Sequence, residues 1–130
     1  MSAYPLTALL TLLIVLMLHW TGMRVGHARR QSGIMPPATN GDPQLERCLR
    51  VQANTLEALA TFLPTLWLCA VFCSDRIAAC AGALWLGARI WYALAYAKDA
   101  SLRIPPFAAG VTMLALTWLG TLAGVVQHWL

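Results

Sequence analysis

Glu46-Arg47-Cys48-Leu49-Arg50-Val51-Gln52-Ala53-Asn54-Thr55-Leu56-Glu57 heads a segment that is otherwise apolar enough for a bilayer. On a helix, Arg50, Asn54 and Glu57 stand at i, i+4 and i+7 and share one face. Gln52 falls off that stripe, at the same depth. A charge at the centre of a membrane helix costs roughly 2.5–3.5 kcal/mol on insertion scales. Such charges persist where they face a partner helix, a cavity or a ligand. The run therefore fixes both the setting, a membrane helix, and the place to look for function.

Composition gives the same setting. Hydrophobic residues make up 59% of the chain, charged residues 11%, and the mean hydropathy is +0.64. A soluble domain carries about 25% charge. Apolar runs cover Tyr4 to Met23, Leu56 to Cys73, Ile77 to Ala97 and Pro106 to Leu130. Each is close to the ~20 residues that cross ~30 Å of hydrocarbon. The expectation is one all-α domain over 1–130, an integral-membrane bundle with helices at about 4–29, 44–73, 75–98 and 104–129. The first run has no Lys or Arg ahead of it and no small-x-small cleavage site behind it, so it reads as a retained helix.

Basic residues set the expected topology. Arg24, Arg29, Arg30, Arg47 and Arg50 flank the first connection, Lys98 and Arg103 the third, and only Arg76, beside Asp75, the second. The positive-inside rule places connections one and three in the cytoplasm and both termini outside. The net charge of +4 is thus mostly topology and local site chemistry, and nothing in it suggests nucleic acid. Gly33, Pro36-Pro37, Asn40-Gly41 and Asp42-Pro43 mark connection one, roughly Gln31 to Gln44, as an irregular loop. Ser74 can cap helix three, and Pro105-Pro106 puts Arg103 at the mouth of helix four.

Other polar residues fall at the same membrane level. Tyr92 and Tyr96 form an i, i+4 pair near the cytoplasmic end of helix three, with Arg89 a turn deeper on nearly the same side. Arg29 and Arg30 end helix one, and Arg103 opens helix four. Arginine forks and tyrosine hydroxyls converging at one level suit an anionic ligand.

The ordered set Glu46-Arg47-x-x-Arg50-x-Gln52-x-Asn54-x-x-Glu57, then Ala88-Arg89-x-x-Tyr92-x-x-x-Tyr96-Ala97, then Leu102-Arg103, resembles the MAPEG family, the membrane-associated proteins of eicosanoid and glutathione metabolism. The likeness spans about Arg29 to Arg103 and includes the loop Pro36-Pro37-x-x-x-Gly41-x-Pro43. It implies a homotrimer that holds glutathione between neighbouring subunits near the cytoplasmic face. Carried over position by position, it makes Arg29, Arg50, Gln52, Asn54, Glu57, Tyr92, Tyr96 and Arg103 glutathione contacts. It also makes Arg103 the residue that stabilises the thiolate and Arg30 one that acts on the second substrate. That substrate would be a lipophilic electrophile or lipid hydroperoxide drawn from membrane lipid. The sequence departs from the leukotriene-forming branch at Ala58, where that branch has tyrosine, and at Trp91, where it has arginine.

The chemistry of glutathione agrees. Its two carboxylates suit Arg50 and Arg29, and its ammonium suits Glu57. A free thiol titrates near 8.5, and the thiolate is the nucleophile. Lowering that value by two units takes roughly 2.7 kcal/mol of preference for the anion. One arginine at a helix N-terminus, partly shielded from water, can supply it.

Each feature alone has a blander reading: Arg50 and Glu57 as a structural ion pair, the tyrosines as an interfacial belt, the arginines of helix one as topology signals. Cys48, Cys69, Cys73 and Cys80 form no Cys-x-x-Cys and read as small hydrophobes, and His19, His27 and His128 show no metal spacing, so no metal is expected. The sequence reading is a bacterial inner-membrane glutathione transferase, with glutathione-dependent peroxidase activity as a second reaction of the same site. Two alternatives remain at this stage. One is a small multidrug-type transporter that binds cations through Glu57; the other is a member that holds glutathione without turnover.

Overall fold

Each helix begins where the sequence supplies a start signal. The computed structural model describes residues 3–130. Pro5 opens α1, Pro5–Ser32, and Pro43 opens α2, Pro43–Phe72, whose cap Asp42 accepts from the Leu45 amide at 2.7 Å. Ser74 caps α3, Asp75–Lys98, by accepting from the Ile77 amide at 3.2 Å. A 3-10 turn, Ala100–Arg103, leads into α4, Ile104–Trp129, with proline in its first turn. All four helices are long and apolar enough to cross a membrane. The protein is an all-α bundle of four such helices.

Helix α1 runs three residues past the expected end at 29. Nothing before Gly33 breaks it, and Gly33, at φ 72°, provides the left-handed stop while its amide donates to the Arg29 carbonyl. The irregular loop is correspondingly shorter, because Gln31, Ser32, Pro43 and Gln44 are helical.

The N-terminus of α1 is finished from elsewhere in the chain. No acidic residue lies in its first turn. Asp75, at the head of α3, accepts from the Leu6 amide at 3.0 Å, the Thr7 amide at 2.8 Å and the Thr7 hydroxyl at 2.7 Å. Two orphan amides and the positive end of the α1 dipole thus meet one carboxylate.

The main core fills the half of the bundle away from the long loop. Ile14, Met17, Leu59, Phe62, Leu66, Cys69 and Trp85 pack there, with the Phe62 and Trp85 rings stacked at 4.1 Å and 6°. Small residues set the spacing: a Cβ on Gly124 would stand 2.8 Å from the Phe72 carbonyl oxygen, so α2 and α4 touch there. Gly120, four residues earlier, meets nothing within 4 Å on its Cβ side. The hydroxyls of Thr55, Thr65, Thr117 and Thr121 donate to carbonyls one turn back, so each buried hydroxyl is satisfied inside its own helix. Cys48 and Cys69 are buried as expected of small hydrophobes, but Cys80 is exposed and Cys73 is half-buried, its thiol donating to the Gly120 carbonyl at 3.4 Å.

Candidate functional site

At the loop end of the bundle the packing turns polar. The stripe read from the sequence is a real face of α2. Arg50 and Glu57 both lie on the chain surface, with Arg50 Nη1 3.8 Å from Glu57 Oε1. More than half of each side chain is exposed, so this pair contributes little to stability and stays open to a ligand. It is the one ion pair among the described residues. Asn54, between them, is half-buried, and its Oδ1 accepts from Arg89 Nη2 at 2.9 Å.

Helix α3 brings Arg89, Tyr92 and Tyr96 to that face. Tyr92 is buried, with its ring 5.6 Å from Tyr96 and 6.2 Å from Phe107 of α4. Arg50 and Arg103 both lie within electrostatic reach of Tyr92. Arg103 sits at the head of α4, donates to the Ala100 carbonyl at 2.7 Å and lies 5.8 Å over the Tyr96 ring. The turn beneath it is pinned by Asp99, which accepts from the Ser101 amide at 2.8 Å. That hydrogen bonding holds the Asp99 carboxyl below the usual carboxylate range. Arg50, Glu57 and Arg103 are therefore exposed at this end of the bundle, with Asn54 and Tyr96 half-buried beside them and Tyr92 buried beneath.

The remaining candidates lie elsewhere on the chain. Gln52 is two residues from Arg50, which is about 200° around a helix. It faces the α1–α2 groove, where its Nε2 lies 3.1 Å from the point a Cβ on Gly22 would occupy. That groove, about 540 Å³, is otherwise apolar apart from His19. Arg29 is tied to the loop: its Nη1 donates to the Ala38 carbonyl at 2.8 Å and the Ile34 carbonyl at 3.2 Å. Arg30 is exposed on the last turn of α1, its Nε 3.4 Å from the Gly26 carbonyl. A single copy thus presents two half-sets on different faces.

Arg89 is the residue that the candidate set left out. It is 2% exposed, and its Nη2 donates to both Asn54 Oδ1 and Thr55 Oγ1 at 2.9 Å. Its guanidinium lies 4.4 Å over the Tyr92 ring and 5.9 Å over the Trp85 ring, while Nε has no partner. No carboxylate neutralises it among the described residues, so two neutral acceptors and two aromatic faces carry a buried charge. The sequence signal was present: an arginine inside an apolar helix needs an acceptor at its own depth, and on α2 that is Asn54. Among the described residues no group of three or more His, Cys, Asp and Glu side chains could hold a metal ion.

Comparison with known proteins places this geometry in context. A family model described as "MAPEG family" matches residues 7–123. The chain is 45% identical over 121 residues to an uncharacterized protein of Synechocystis sp., covering 93% of this chain and 85% of that one. It is 37% identical over 125 residues to leukotriene C4 synthase of Mus musculus, covering 96% and 83%. It is 34% identical over 125 residues to microsomal glutathione S-transferase 2 of Mus musculus, covering 96% and 85%.

Proposed function

The chain belongs to the MAPEG family, and from that premise we propose that it is an integral-membrane glutathione transferase. The observation that carries the reading is the surface of Arg50, Asn54, Glu57, Tyr96 and Arg103 over the buried Tyr92 at one end of the bundle. The names of its relatives, a leukotriene C4 synthase and a microsomal glutathione S-transferase, support glutathione as co-substrate.

The division of the polar residues supports an assembly. Gln52 faces the α1–α2 groove and Arg29 is tied to the loop, neither of them on the stripe that holds Arg50. One glutathione can meet both half-sets only when two copies stand side by side, as in the homotrimer the family resemblance implies. Glutathione would lie in that cleft, with its carboxylates toward Arg50 and the neighbour's Arg29 and its ammonium toward Glu57. Bidentate guanidinium–carboxylate contacts give such a clamp its direction.

Arg103 is proposed to hold the sulfur as thiolate. It combines a fixed positive charge with the head of α4, where the helix dipole also favours an anion. Its contacts to Ala100 and Tyr96 preorganise it, so little reorientation is needed as charge develops. A lipophilic electrophile, or a lipid hydroperoxide in the peroxidase reaction, would reach the sulfur laterally from the membrane, with Arg30 acting on it. In conjugation the thiolate attacks the electrophilic carbon, and the thioether forms as the leaving group departs or the ring opens. In the peroxidase reaction it attacks the hydroperoxide oxygen, and the O–O bond breaks to release the alcohol. A second glutathione then turns the sulfenic acid into disulfide and water. The bundle would sit in a bacterial inner membrane with this end toward the cytoplasm, a setting the Synechocystis relative and the arginine-rich first connection support.

The pairing of Glu57 with Arg50, at 3.8 Å, weighs against a cation transporter, which needs a carboxylate free of competing cations. The decisive measurement is the ultraviolet absorbance of glutathione thiolate on mixing with detergent-purified protein at neutral pH. Wild type should give the signal, and Arg103→Ala should lose at least nine-tenths of it while assembling normally. A full signal in Arg103→Ala removes that residue from thiolate formation. No signal and no glutathione binding in wild type overturns the transferase reading.

A further inference from the structure

A second anion-seeking feature lies on the other flank of α1, away from Arg50 and Arg103. Deep in the membrane zone, Leu13, Leu16, Met17, Leu86 and Ile90 line an apolar trough of about 490 Å³ between α1 and α3. Toward the loop end, Arg24, His27, Gln31 and Gln44 line a polar hollow of about 300 Å³ between α1 and α2. Trp20 and Met23 line both, so the apolar trough and the basic hollow adjoin along α1.

The basic end has a charge without an acceptor. Arg24 lies 5.0 Å over the Trp20 ring, which holds its guanidinium in place, yet its buried Nη1 has no hydrogen-bond partner. Arg47, next to Cys48 at the same level, also keeps a buried Nε unpartnered. The acidic groups nearby are engaged: Asp42 caps α2 through the Leu45 amide, and Asp99 caps the turn through the Ser101 amide. Neither comes within 4 Å of Arg24 or Arg47. A buried guanidinium nitrogen left unpaired is costly. Arg24 itself lines the hollow with no carboxylate within 4 Å, so the hollow is complementary to an anion.

The dimensions match one lipid. From Arg24 to Leu13 is 11 residues of helix, about 16 Å at ~1.5 Å per residue. One leaflet of a ~30 Å hydrocarbon core is about 15 Å deep. We propose that this groove is a binding site for a membrane phospholipid with an anionic headgroup. Its acyl chain lies in the Leu13–Ile90 trough, and its headgroup anion meets Arg24 and His27. The site stands apart from Arg50 and Arg103, adjoins the Gln52 groove at His19 and Met23, and does not rest on the transferase reading.

The test is native mass spectrometry of the delipidated, detergent-purified full chain, titrated with phosphatidylglycerol or with phosphatidylcholine of the same acyl chains. Wild type should retain phosphatidylglycerol at about tenfold lower concentration. Arg24→Gln should erase that preference, whereas Lys98→Gln, which removes a charge at the same end of the bundle, should keep it. Ile90→Trp, at an exposed trough position, should weaken both lipids by filling the apolar half. Its result stands even where Arg24→Gln folds poorly. Equal retention of the two lipids, or a preference that survives Arg24→Gln, overturns the proposal. So does displacement of phosphatidylglycerol by equimolar palmitate, which would make the occupant a free fatty carboxylate. Insensitivity of lipid retention to Ile90→Trp overturns it as well, because the trough would then be empty or covered by another copy.

Discussion

Away from the long loop, Asp75 takes three hydrogen bonds from α1, and Phe62 and Leu66, with no polar side-chain atom to satisfy, pack with Trp85. At the loop end, Arg24, Arg47 and Arg89 each keep a buried guanidinium nitrogen without a partner, and Arg50, Glu57 and Arg103 lie open. One half of the bundle is closed on itself and the other is left incomplete. The difference teaches where stability and function reside: a low-dielectric setting tolerates unpaired cations only where something else will meet them.

Three substitutions can break or sharpen that contrast. Phe62→Ala should have the largest effect, about 3 kcal/mol of bundle stability, toward the low end for a buried phenylalanine. Lipid is as apolar as the core, so mainly packing is lost. Chemical denaturation in detergent would measure it, and glutathione affinity of the folded fraction should stay unchanged. Arg89→Met should do the reverse. Removing a buried charge that lacks a counter-ion costs little stability, but Asn54 and Tyr92 lose the group that orients them. Glutathione affinity by calorimetry should fall about fivefold, or about 1 kcal/mol. If Arg89→Met unfolds the protein as readily as Phe62→Ala, the loop end is structural and the contrast fails.

Asp99→Ala should have the smallest effect, a loosened turn under Arg103 and a loss of thiolate signal below about twofold, within the range of an exposed cap. Because the folded carboxyl is held low, its contribution is present above the unfolded value of about 3.9 and disappears as pH falls through the folded one. The stability difference between wild type and Asp99→Ala should therefore be flat from about pH 5 to 8 and shrink below about pH 4. A difference that grows on acidification would contradict the hydrogen bonding seen at Ser101.

Much of the fold was legible because a bilayer imposes a coarse, local rule: long apolar runs, with helix starts marked by Ser74 and Pro105-Pro106. The face of Arg50, Asn54 and Glu57 was legible too, since helical spacing alone places them together. The end of α1 was missed by three residues because basic residues in a last turn do not stop a helix, whereas Gly33 does.

What the sequence by itself determined is the all-α membrane architecture and the one-dimensional order of its charges, both set by interactions between residues close in the chain. Tertiary structure alone decided the rest. It brought Asp75 to the head of α1, 68 positions away, and buried Arg89 against Asn54 and Thr55. It also tied Arg29 to the loop carbonyls of Ile34 and Ala38 and set Gln52 against Gly22 of α1. Those outcomes depend on which helix faces which, and that choice is made by packing between residues far apart in the chain.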